Sequence, residues 1–198
     1  SNSLNLPLLG HIPYISSFAD VRENRSSITR IPEFENNKID KKLSKENSYE
    51  RFFYQEAFRS LYTSIRFLNS EEGAKTIIIT SSIPKEGKTL INILLAKTLS
   101  EIGVKTILID ADLRKPSVHY RLEMNNLLGL SNLLTDAKLT PKDVIRKVKN
   151  FKDWDVITSG TKPPDPTRLL GSNRLKDILN EIKSLNKYDI ILIDAPPI

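Results

Sequence analysis

The sequence predicts a doubly wound α/β domain, in which helices cover both faces of a mostly parallel sheet. Three observations favour this class. The strand-like segments are nearly continuous runs of Ile, Leu and Val, they alternate with helix-like segments, and the composition, with 39% hydrophobic and 27% charged residues, is globular. A strand of a parallel sheet is buried on both faces, so it lacks the apolar and polar alternation of an antiparallel sheet. Alternating strands and helices then build a layered sheet rather than a sandwich or a bundle.

Composition and charge exclude several classes of function. The 198 residues correspond to one domain with an appendage, because a domain averages about 150 residues. The absence of Cys excludes a disulfide-stapled fold, a thiolate zinc site and a thiol nucleophile. The net charge of +6 arises mainly in the middle of the chain, where an anion could bind. No apolar run approaches the ~18 residues of a membrane span, and we expect the chain to be a piece of a longer protein, truncated after its last strand.

The first segment differs from the rest of the chain. Residues 1–48 lack sustained periodicity and are rich in Asn, Ser and mixed charge, so we interpret them as a tether before a domain of residues 49–198. The domain opens with an amphipathic helix over 49–68, whose apolar positions recur at steps of three and four. The predicted buried stripe of this helix consists of Phe53, Ala57, Leu61, Ile65 and Leu68, and is widened by Phe52, Phe58 and Tyr62.

The remaining elements follow from the same patterns. Short apolar runs predict strands, and segments with helical spacing predict the helices between them. In chain order we predict a strand over 76–80, a helix over 88–102, a strand over 105–110, short helices over 131–134 and 141–149, a strand over 155–158, a helix over 173–185 and a strand over 188–194.

A phosphate-binding loop is the strongest functional signal. Residues 82–89 read Ser-Ile-Pro-Lys-Glu-Gly-Lys-Thr and lie between a predicted strand and a predicted helix. In such a loop, backbone N–H groups bind phosphates, a lysine reaches the β- and γ-phosphates, and a Thr hydroxyl binds Mg²⁺. Ser82 replaces the first Gly of the general motif, and an ordinary loop that happens to contain Gly-Lys-Thr is the alternative. The predicted nucleotide-binding residues are Ser82, Lys85, Glu86, Gly87, Lys88, Thr89 and Leu90.

Carboxylates follow two of the predicted strands. Asp110 and Asp112 come at the end of one strand, and Asp194 ends the last strand-like run. The carboxyl ends of parallel strands form the edge of the sheet at which ligands bind in this fold class. Each Asp alone could simply cap a turn. Together with a phosphate loop, the three predict a site for a nucleoside triphosphate and Mg²⁺.

These motifs resemble those of a known family. Residues 81–89, 110–116 and 193–197 are similar to the Walker A, Walker A′ and Walker B motifs of the bacterial tyrosine kinases that accompany capsule and exopolysaccharide export. The resemblance covers about residues 49–198. It implies a P-loop NTPase-like domain that uses ATP and Mg²⁺ to phosphorylate its own tyrosines and thereby regulates polysaccharide polymerisation and export.

The resemblance also implies roles for single residues. Lys88 would be catalytic and neutralise the β- and γ-phosphates, and Asp112 would orient or deprotonate the attacking hydroxyl with Asp110 beside it. Mg²⁺ would be held by Thr89, Asp112 and Asp194, the last of them acting through water. Phosphoryl transfer requires mainly positioning and charge neutralisation, so this small set of residues suffices.

Further stretches are also similar to segments of this family. Residues 56–67 resemble a helix with a Glu-x-x-Arg-x-x-Arg oligomerisation motif, so Glu56 and Arg59 would contact a neighbouring subunit in a ring, whereas Tyr62 replaces the third residue of the motif. Without the resemblance, the two charged residues are a solvent-facing helix pair. The opening segment resembles the part that follows the second membrane helix of a polysaccharide co-polymerase. This implies a membrane-embedded portion or partner, a location at the cytoplasmic face of the bacterial inner membrane, and no nucleic-acid partner.

Two alternatives stay open. Partition and septum-positioning ATPases resemble this family, but they carry a signature lysine at the position that Ile83 occupies here. The other alternative is a degenerate, non-catalytic nucleotide-binding module of the export machinery. Lys85, which stands where the family usually has Gly, and Tyr62 favour that alternative, whereas the intact strand-end carboxylates oppose it.

Overall fold

The computed structural model describes residues 8–13, 45–68 and 75–198. Most of the predicted tether, residues 1–7 and 14–44, lies outside the described residues. None of the helices in the described ranges is long and apolar enough to cross a membrane. In chain order, the elements are α1 Lys45–Leu68, β1 Lys75–Ile79, α2 Lys88–Glu101, β2 Thr106–Asp110, α3 Val118–Arg121, α4 Leu130–Thr135, α5 Pro141–Val144, β3 Arg146–Lys147, β4 Trp154–Ile157, α6 Pro166–Leu170, α7 Asn173–Ser184 and β5 Ile190–Asp194.

The five strands form one sheet in the order β1-β5-β2-β4-β3. Strand pairing is parallel throughout this sheet except between β3 and β4. β5 is the last strand in the sequence but lies between the first two, so the parallel strands are joined by crossover connections. The register places Asp110 opposite Asp194 at the carboxyl ends of β2 and β5. This arrangement confirms the predicted doubly wound, mostly parallel sheet.

The sheet separates two apolar cores. Successive side chains of a strand point to opposite faces, and in β2 Leu108 joins one core while Ile107 and Ile109 join the other. Residues of α1 and α2 complete the first core, and residues of α4 and α7 complete the second. Helices therefore cover both faces, as the sequence predicts, and the central strands β2 and β5 are buried along their whole length.

The predicted short helix over 141–149 begins where expected, at Pro141, but its predicted extension beyond Val144 is wrong. α5 ends at Val144, and Arg146–Lys147 instead form an antiparallel strand at the edge of the sheet, against β4. Ile145 ends the helix, because its backbone angles, φ −64° and ψ 128°, are extended. Pairing with β4 outweighs the helical spacing of this short segment, and charged residues suit an edge strand because they discourage pairing with other chains.

α1 begins at Lys45, four residues before the predicted start. Of its predicted stripe, Phe58 is buried and Leu61 and Tyr62 pack against the first core, but Phe53 does not. Phe53 is 60% exposed, whereas Tyr54 and Phe58 are buried. The two buried rings meet edge to face, with centroids 6.4 Å apart, and belong to the first core. Aromatic residues lie on several sides of this part of the helix, so periodicity alone allows two stripes. Packing against α2 selects the one that contains Tyr54.

Two short helices, α3 and α6, are too short for periodicity to predict, since four or five residues complete little more than one turn. α3 follows β2 and α6 follows β4. In α6, an Asp165 carboxylate oxygen accepts a hydrogen bond from the Arg168 N–H at 3.1 Å and caps the first turn. Both helices therefore lie in segments that leave the carboxyl edge of the sheet.

Candidate functional site

A cavity of about 420 Å³ opens beyond the carboxyl ends of β1, β2 and β5. Its wall is formed by the loop after β1, the start of α2, the segment after β2 and the residues after β5. This is the position at which doubly wound folds bind ligands. Five of the predicted nucleotide-binding residues line the cavity, namely Lys85, Gly87, Lys88, Thr89 and Leu90.

The loop between β1 and α2 is closed by its own glutamate. One Glu86 carboxylate oxygen accepts hydrogen bonds from the backbone N–H groups of Ser82, at 2.9 Å, and Ile83, at 3.2 Å. Ser82 and Glu86 therefore shape the loop and do not line the cavity. Gly87, the N-cap residue just before α2, has φ +91°, a left-handed angle that favours glycine, and no described side chain caps this helix start. The first N–H groups of a helix have no partner within it, so they can bind an anion.

Lys85 has a left-handed backbone, with φ +71°. This conformation costs a residue with a Cβ atom roughly 1 kcal/mol, and a glycine would adopt it without that cost. The position is the one at which the resembled family usually has Gly, so this departure from the family carries a conformational cost. In return, its side chain adds a positive charge to the cavity wall.

Lys88 lies between two carboxylates. Its Nζ is 2.9 Å from Asp112 Oδ2 and 3.6 Å from Asp194 Oδ1. These three side chains are at most 10% exposed, so their charges interact in a medium of lower dielectric constant than water. The two carboxylates thereby hold the ammonium group at the cavity wall.

Asp194 accepts hydrogen bonds on both of its oxygens. Thr89 Oγ1 donates to Oδ2 at 2.7 Å, and Asn92 Nδ2 donates to Oδ1 at 2.9 Å. Burial raises the pKa of Asp194, while Lys88 and the two hydrogen-bond donors oppose that rise. A hydroxyl beside a carboxylate offers the oxygen ligands that Mg²⁺ prefers.

Asp110 supports the segment that carries Asp112. Its two oxygens accept hydrogen bonds from the backbone N–H groups of Asp112, at 3.2 Å, and Val118, at 3.1 Å. Burial, together with the nearby charge of Asp194, raises the pKa of Asp110 to about 8. Asp110 does not line the cavity. The structure therefore places it behind the site, where it fixes the backbone of the segment after β2.

The cavity wall is strongly cationic. Five basic side chains and a single carboxylate, that of Asp112, belong to the lining that the structure describes. The basic residues are Lys85, Lys88, Arg114, Lys115 and Arg121. Arg114 is also linked to α6, because its Nη2 donates a 2.7 Å hydrogen bond to Thr167 Oγ1. Such a wall suits a polyanionic ligand such as a triphosphate.

The residues present fit a nucleotide with Mg²⁺. At Gly87, a Cβ atom would meet nothing within 4 Å, so the backbone is open to the close approach of a phosphate. Within the described residues, no three His, Cys, Asp or Glu side chains form a metal site. Mg²⁺ needs no such cluster, because one or two carboxylates, waters and substrate phosphates usually hold it. Thr89 and Asp194 suit this role, whereas Asp112 is engaged by Lys88 Nζ and, at 3.0 Å, by the Lys115 N–H.

The two predicted assembly residues lie together on the surface of α1. Arg59 Nη1 donates to Glu56 Oε1 at 2.7 Å, and both side chains are nearly half exposed. Tyr62 instead packs against the first core, and the Arg66 guanidinium lies 6.0 Å from the centre of its ring. The Glu56–Arg59 pair is therefore accessible to a partner, while Tyr62 is partly withdrawn.

Four amide or basic residues around the site were not predicted from the sequence: Asn92, Arg114, Lys115 and Arg121. Asn92 had a usable signal, because it is a polar residue in the apolar run of α2 and lies three positions after Thr89, on the same side of the helix. The basic residues had a weaker one, since Arg114 and Lys115 lie within the predicted Walker A′ segment but the resemblance gives them no role, and Arg121 lies beyond it. Arg121 belongs to α3, which periodicity does not predict.

The chain is similar in sequence to named proteins. Residues 74–198, well over half of the chain, match the family model described as AAA domain. The chain is 40% identical over 143 residues to the putative tyrosine-protein kinase CapB of Staphylococcus aureus, and this match covers 72% of the chain and 61% of CapB. The chain thus spans about three fifths of the length of this relative.

Solved structures agree with the sequence matches. The chimerical protein CapA2B2 is 32% identical, with a TM-score of 0.71, and the match covers 98% of this chain and 73% of the other. The kinase domain of the Escherichia coli tyrosine kinase ETK is 29% identical, with a TM-score of 0.75, over 96% of this chain and 69% of the other. The structural matches therefore extend over more of the chain than the sequence match to CapB does.

Proposed function

We propose that this chain is an ATP- and Mg²⁺-dependent protein-tyrosine kinase domain. The premise is that the chain belongs to the family of bacterial tyrosine kinases built on the AAA domain. One observation carries the proposal: Lys88 lies between the carboxylates of Asp112 and Asp194 at the start of an uncapped helix. A lysine in this position can bind the β- and γ-phosphates of ATP, and the N–H groups of the helix start can bind their oxygens.

In the proposed reaction, a tyrosine hydroxyl oxygen attacks the γ-phosphorus of ATP, and the bond between this phosphorus and the β–γ bridging oxygen breaks. The products are ADP and phosphotyrosine. Lys88 and the N–H groups at the start of α2 stabilise the negative charge on the phosphate oxygens. Thr89 and Asp194, with Asp112 as a further proposed ligand, would hold Mg²⁺, which would supply additional charge neutralisation.

Asp112 changes its partner in this proposal. Without nucleotide, its Oδ2 forms the 2.9 Å ion pair with Lys88 Nζ. Phosphates compete for the same ammonium group. When Lys88 binds them, the Asp112 carboxylate loses this ion-pair partner. It can then orient the acceptor hydroxyl or accept its proton. Nucleotide binding would thereby prepare the group that acts on the acceptor.

The assembly and location of the complete protein are also part of the proposal. The exposed Glu56–Arg59 pair supports contact with a neighbouring subunit in a homo-oligomeric ring. The resemblance of the opening segment supports a membrane-embedded co-polymerase portion, on the same chain or a partner, at the cytoplasmic face of the inner membrane, without nucleic acid. The kinase would there regulate capsule or exopolysaccharide polymerisation and export.

The two alternatives have less support. A partition or septum-positioning ATPase would carry its signature lysine at the position of Ile83, and the relatives described above are named tyrosine kinases. A degenerate module would be favoured by the strained backbone of Lys85. The contacts among Lys88, Thr89, Asp112 and Asp194 support an intact site instead.

The test is to incubate the complete protein with Mg-ATP and to detect phosphotyrosine with a specific antibody and by mass spectrometry. We expect phosphotyrosine in the wild type and none in Lys88→Met, because the transferring phosphoryl group loses its principal cation. Lys105→Met, at the opposite end of β2, is the matched control and should keep the activity. A wild type without phosphotyrosine would contradict the kinase proposal, as would an unimpaired Lys88→Met.

A further inference from the structure

Asn92 is a fully buried polar residue in the most apolar stretch of α2. Asn92 lies one turn after Lys88 and is followed by Ile93, Leu94 and Leu95, all of which are buried. An apolar residue would suit these surroundings. The contacts of the Asn92 amide group explain why a polar residue is present here.

The amide group of Asn92 makes its contacts through the nitrogen alone. Nδ2 donates to Asp194 Oδ1 at 2.9 Å and to the Lys88 carbonyl oxygen at 3.3 Å. Oδ1 is buried and accepts no hydrogen bond from the residues that the structure describes. Turning the amide over would place Oδ1 against two acceptors, so the contacts themselves fix its orientation. The orientation that lets Nδ2 donate to Asp194 thus leaves Oδ1 without a hydrogen bond from the described residues.

Asn92 and Thr89 together hold both oxygens of the Asp194 carboxylate. Thr89 fixes Oδ2 and Asn92 fixes Oδ1, so the carboxylate plane cannot turn without breaking a hydrogen bond. Lys88 Nζ is farther from Oδ1, at 3.6 Å, than Asn92 Nδ2 is. Without Asn92, this oxygen would be free to turn towards the lysine.

We propose that Asn92 is a positioning residue that orients Asp194 for Mg²⁺ in the nucleotide complex. The inference rests on the proposed function, because it requires that Asp194 act on a nucleotide-bound Mg²⁺. Groups that orient metal-binding side chains change metal affinity by about 10- to 100-fold when they are removed. The role is specific to the metal-dependent part of nucleotide binding and leaves the contacts of the phosphates with Lys88 and the helix start in place.

The test measures the affinity of the complete protein for a fluorescent ADP analogue in the presence of Mg²⁺ and in the presence of a chelator. The readout is the dissociation constant with chelator divided by the dissociation constant with Mg²⁺. This ratio reports the contribution of Mg²⁺ to binding without any turnover. Asn92→Leu keeps the approximate size of the side chain and removes the donor. Asn92→Ala is the second variant, because it also removes the donor and does not require a larger apolar side chain to pack at this position. A thermal melt of each variant verifies that it is folded.

Thr98→Val is the matched control, because Thr98 is a buried polar residue of the same helix whose hydroxyl donates only to the Leu94 carbonyl oxygen, away from the cavity. We expect the ratio to fall about tenfold in Asn92→Leu and Asn92→Ala and to stay unchanged in Thr98→Val. An unchanged ratio in the folded Asn92 variants overturns the inference while the proposed function stands. A wild type whose ADP affinity does not respond to Mg²⁺ overturns the metal part of the proposed function, and the inference with it.

Discussion

Thr89 Oγ1 donates a 2.7 Å hydrogen bond to Asp194 Oδ2, although 105 positions of the sequence separate the two residues. The bond joins the first turn of α2 to the end of β5. It is possible because β5 lies next to β1 in the sheet, so that the two strand ends meet beside the phosphate loop. Doubly wound topology is thus what turns two distant motifs into one site.

Asp112→Asn tests the role of this carboxylate in turnover. We expect the rate of tyrosine phosphorylation to fall about 100-fold or more, because the variant cannot accept a proton. The affinity for ADP in the presence of a chelator should stay equal or increase, since a negative charge facing the phosphates is removed and the metal that Asp112 would help to hold is absent. Single-turnover kinetics and ADP titration measure the two quantities separately. Asp177→Asn, on the exposed side of α7, serves as the control; a parallel loss of rate and affinity in Asp112→Asn would contradict the assignment.

Lys85→Gly should stabilise the protein. The left-handed backbone of Lys85 costs a residue with a Cβ atom, and the glycine removes that cost but adds freedom to the unfolded chain. We expect a net gain of about 0.5 kcal/mol in the free energy of unfolding, measured with urea. Lys85→Ala keeps the strain and removes the charge, so it should weaken ADP binding without stabilising the fold.

Lys162→Gly is the control for that comparison, because Lys162 is exposed and its φ is not positive. A glycine there should be neutral or destabilising. The strain explanation would be wrong if Lys85→Gly proved less stable than Lys85→Ala.

The partial burial of His119 leads us to expect that the free energy of unfolding decreases in acid. Burial lowers the pKa of His119 below its ordinary 6.5, and its Nδ1 has no hydrogen-bond partner within the described residues. Below about pH 6.5 the unfolded chain therefore binds more protons at this residue than the folded one does, so the free energy of unfolding decreases as the pH falls. The effect is modest, since the side chain is only partly buried.

The measurement is urea unfolding of the protein at pH 7 and pH 5. His119→Gln should lose less stability between the two pH values than the wild type does. His11→Gln, which replaces the other of the two histidines, is the control and should follow the wild type. Identical pH dependence of His119→Gln and wild type would refute this explanation.

Replacing both Glu56 and Arg59 by Ala should weaken assembly and leave the fold intact. The two side chains form an exposed pair, which contributes only about 0.2–0.5 kcal/mol to a helix. Sedimentation of the complete protein should show smaller species, with little change in melting temperature. Lys176→Ala combined with Asp177→Ala is the control, because it removes one basic and one acidic side chain from the exposed surface of α7. An unchanged sedimentation profile of an oligomeric protein would exclude the proposed contact.

The sequence predicts most of the site, since strand ends are defined by short contiguous patterns. Asp110 and Asp194 had to meet at one sheet edge once their strands were recognised as parallel, and the structure pairs them in register. Their different environments were not predictable in this way. The pKa of Asp110, raised to about 8, depends on burial behind the segment after β2, which only the complete packing defines.

The errors have a common physical cause. In α1 the helix itself was predicted, but the choice between a face with Phe53 and a face with Tyr54 depends on packing against α2. At Arg146–Lys147 a pairing with β4 outweighs local helical spacing. Asn92 was missed because its partner, Asp194, is far away in the sequence. Each case requires contacts between distant segments, which no local pattern contains.

Calorimetric titration of the complete protein with Mg-ADP, compared with the same titration of Lys88→Met, tests the central claim most directly. The claim is that the cationic cavity beyond β1, β2 and β5 binds the nucleotide phosphates through Lys88. We predict one binding event per chain in the wild type and at least a tenfold weaker affinity in Lys88→Met, as about 1.4 kcal/mol of lost interaction would produce. Equal affinities of the two proteins, or no binding by the wild type, would contradict the claim.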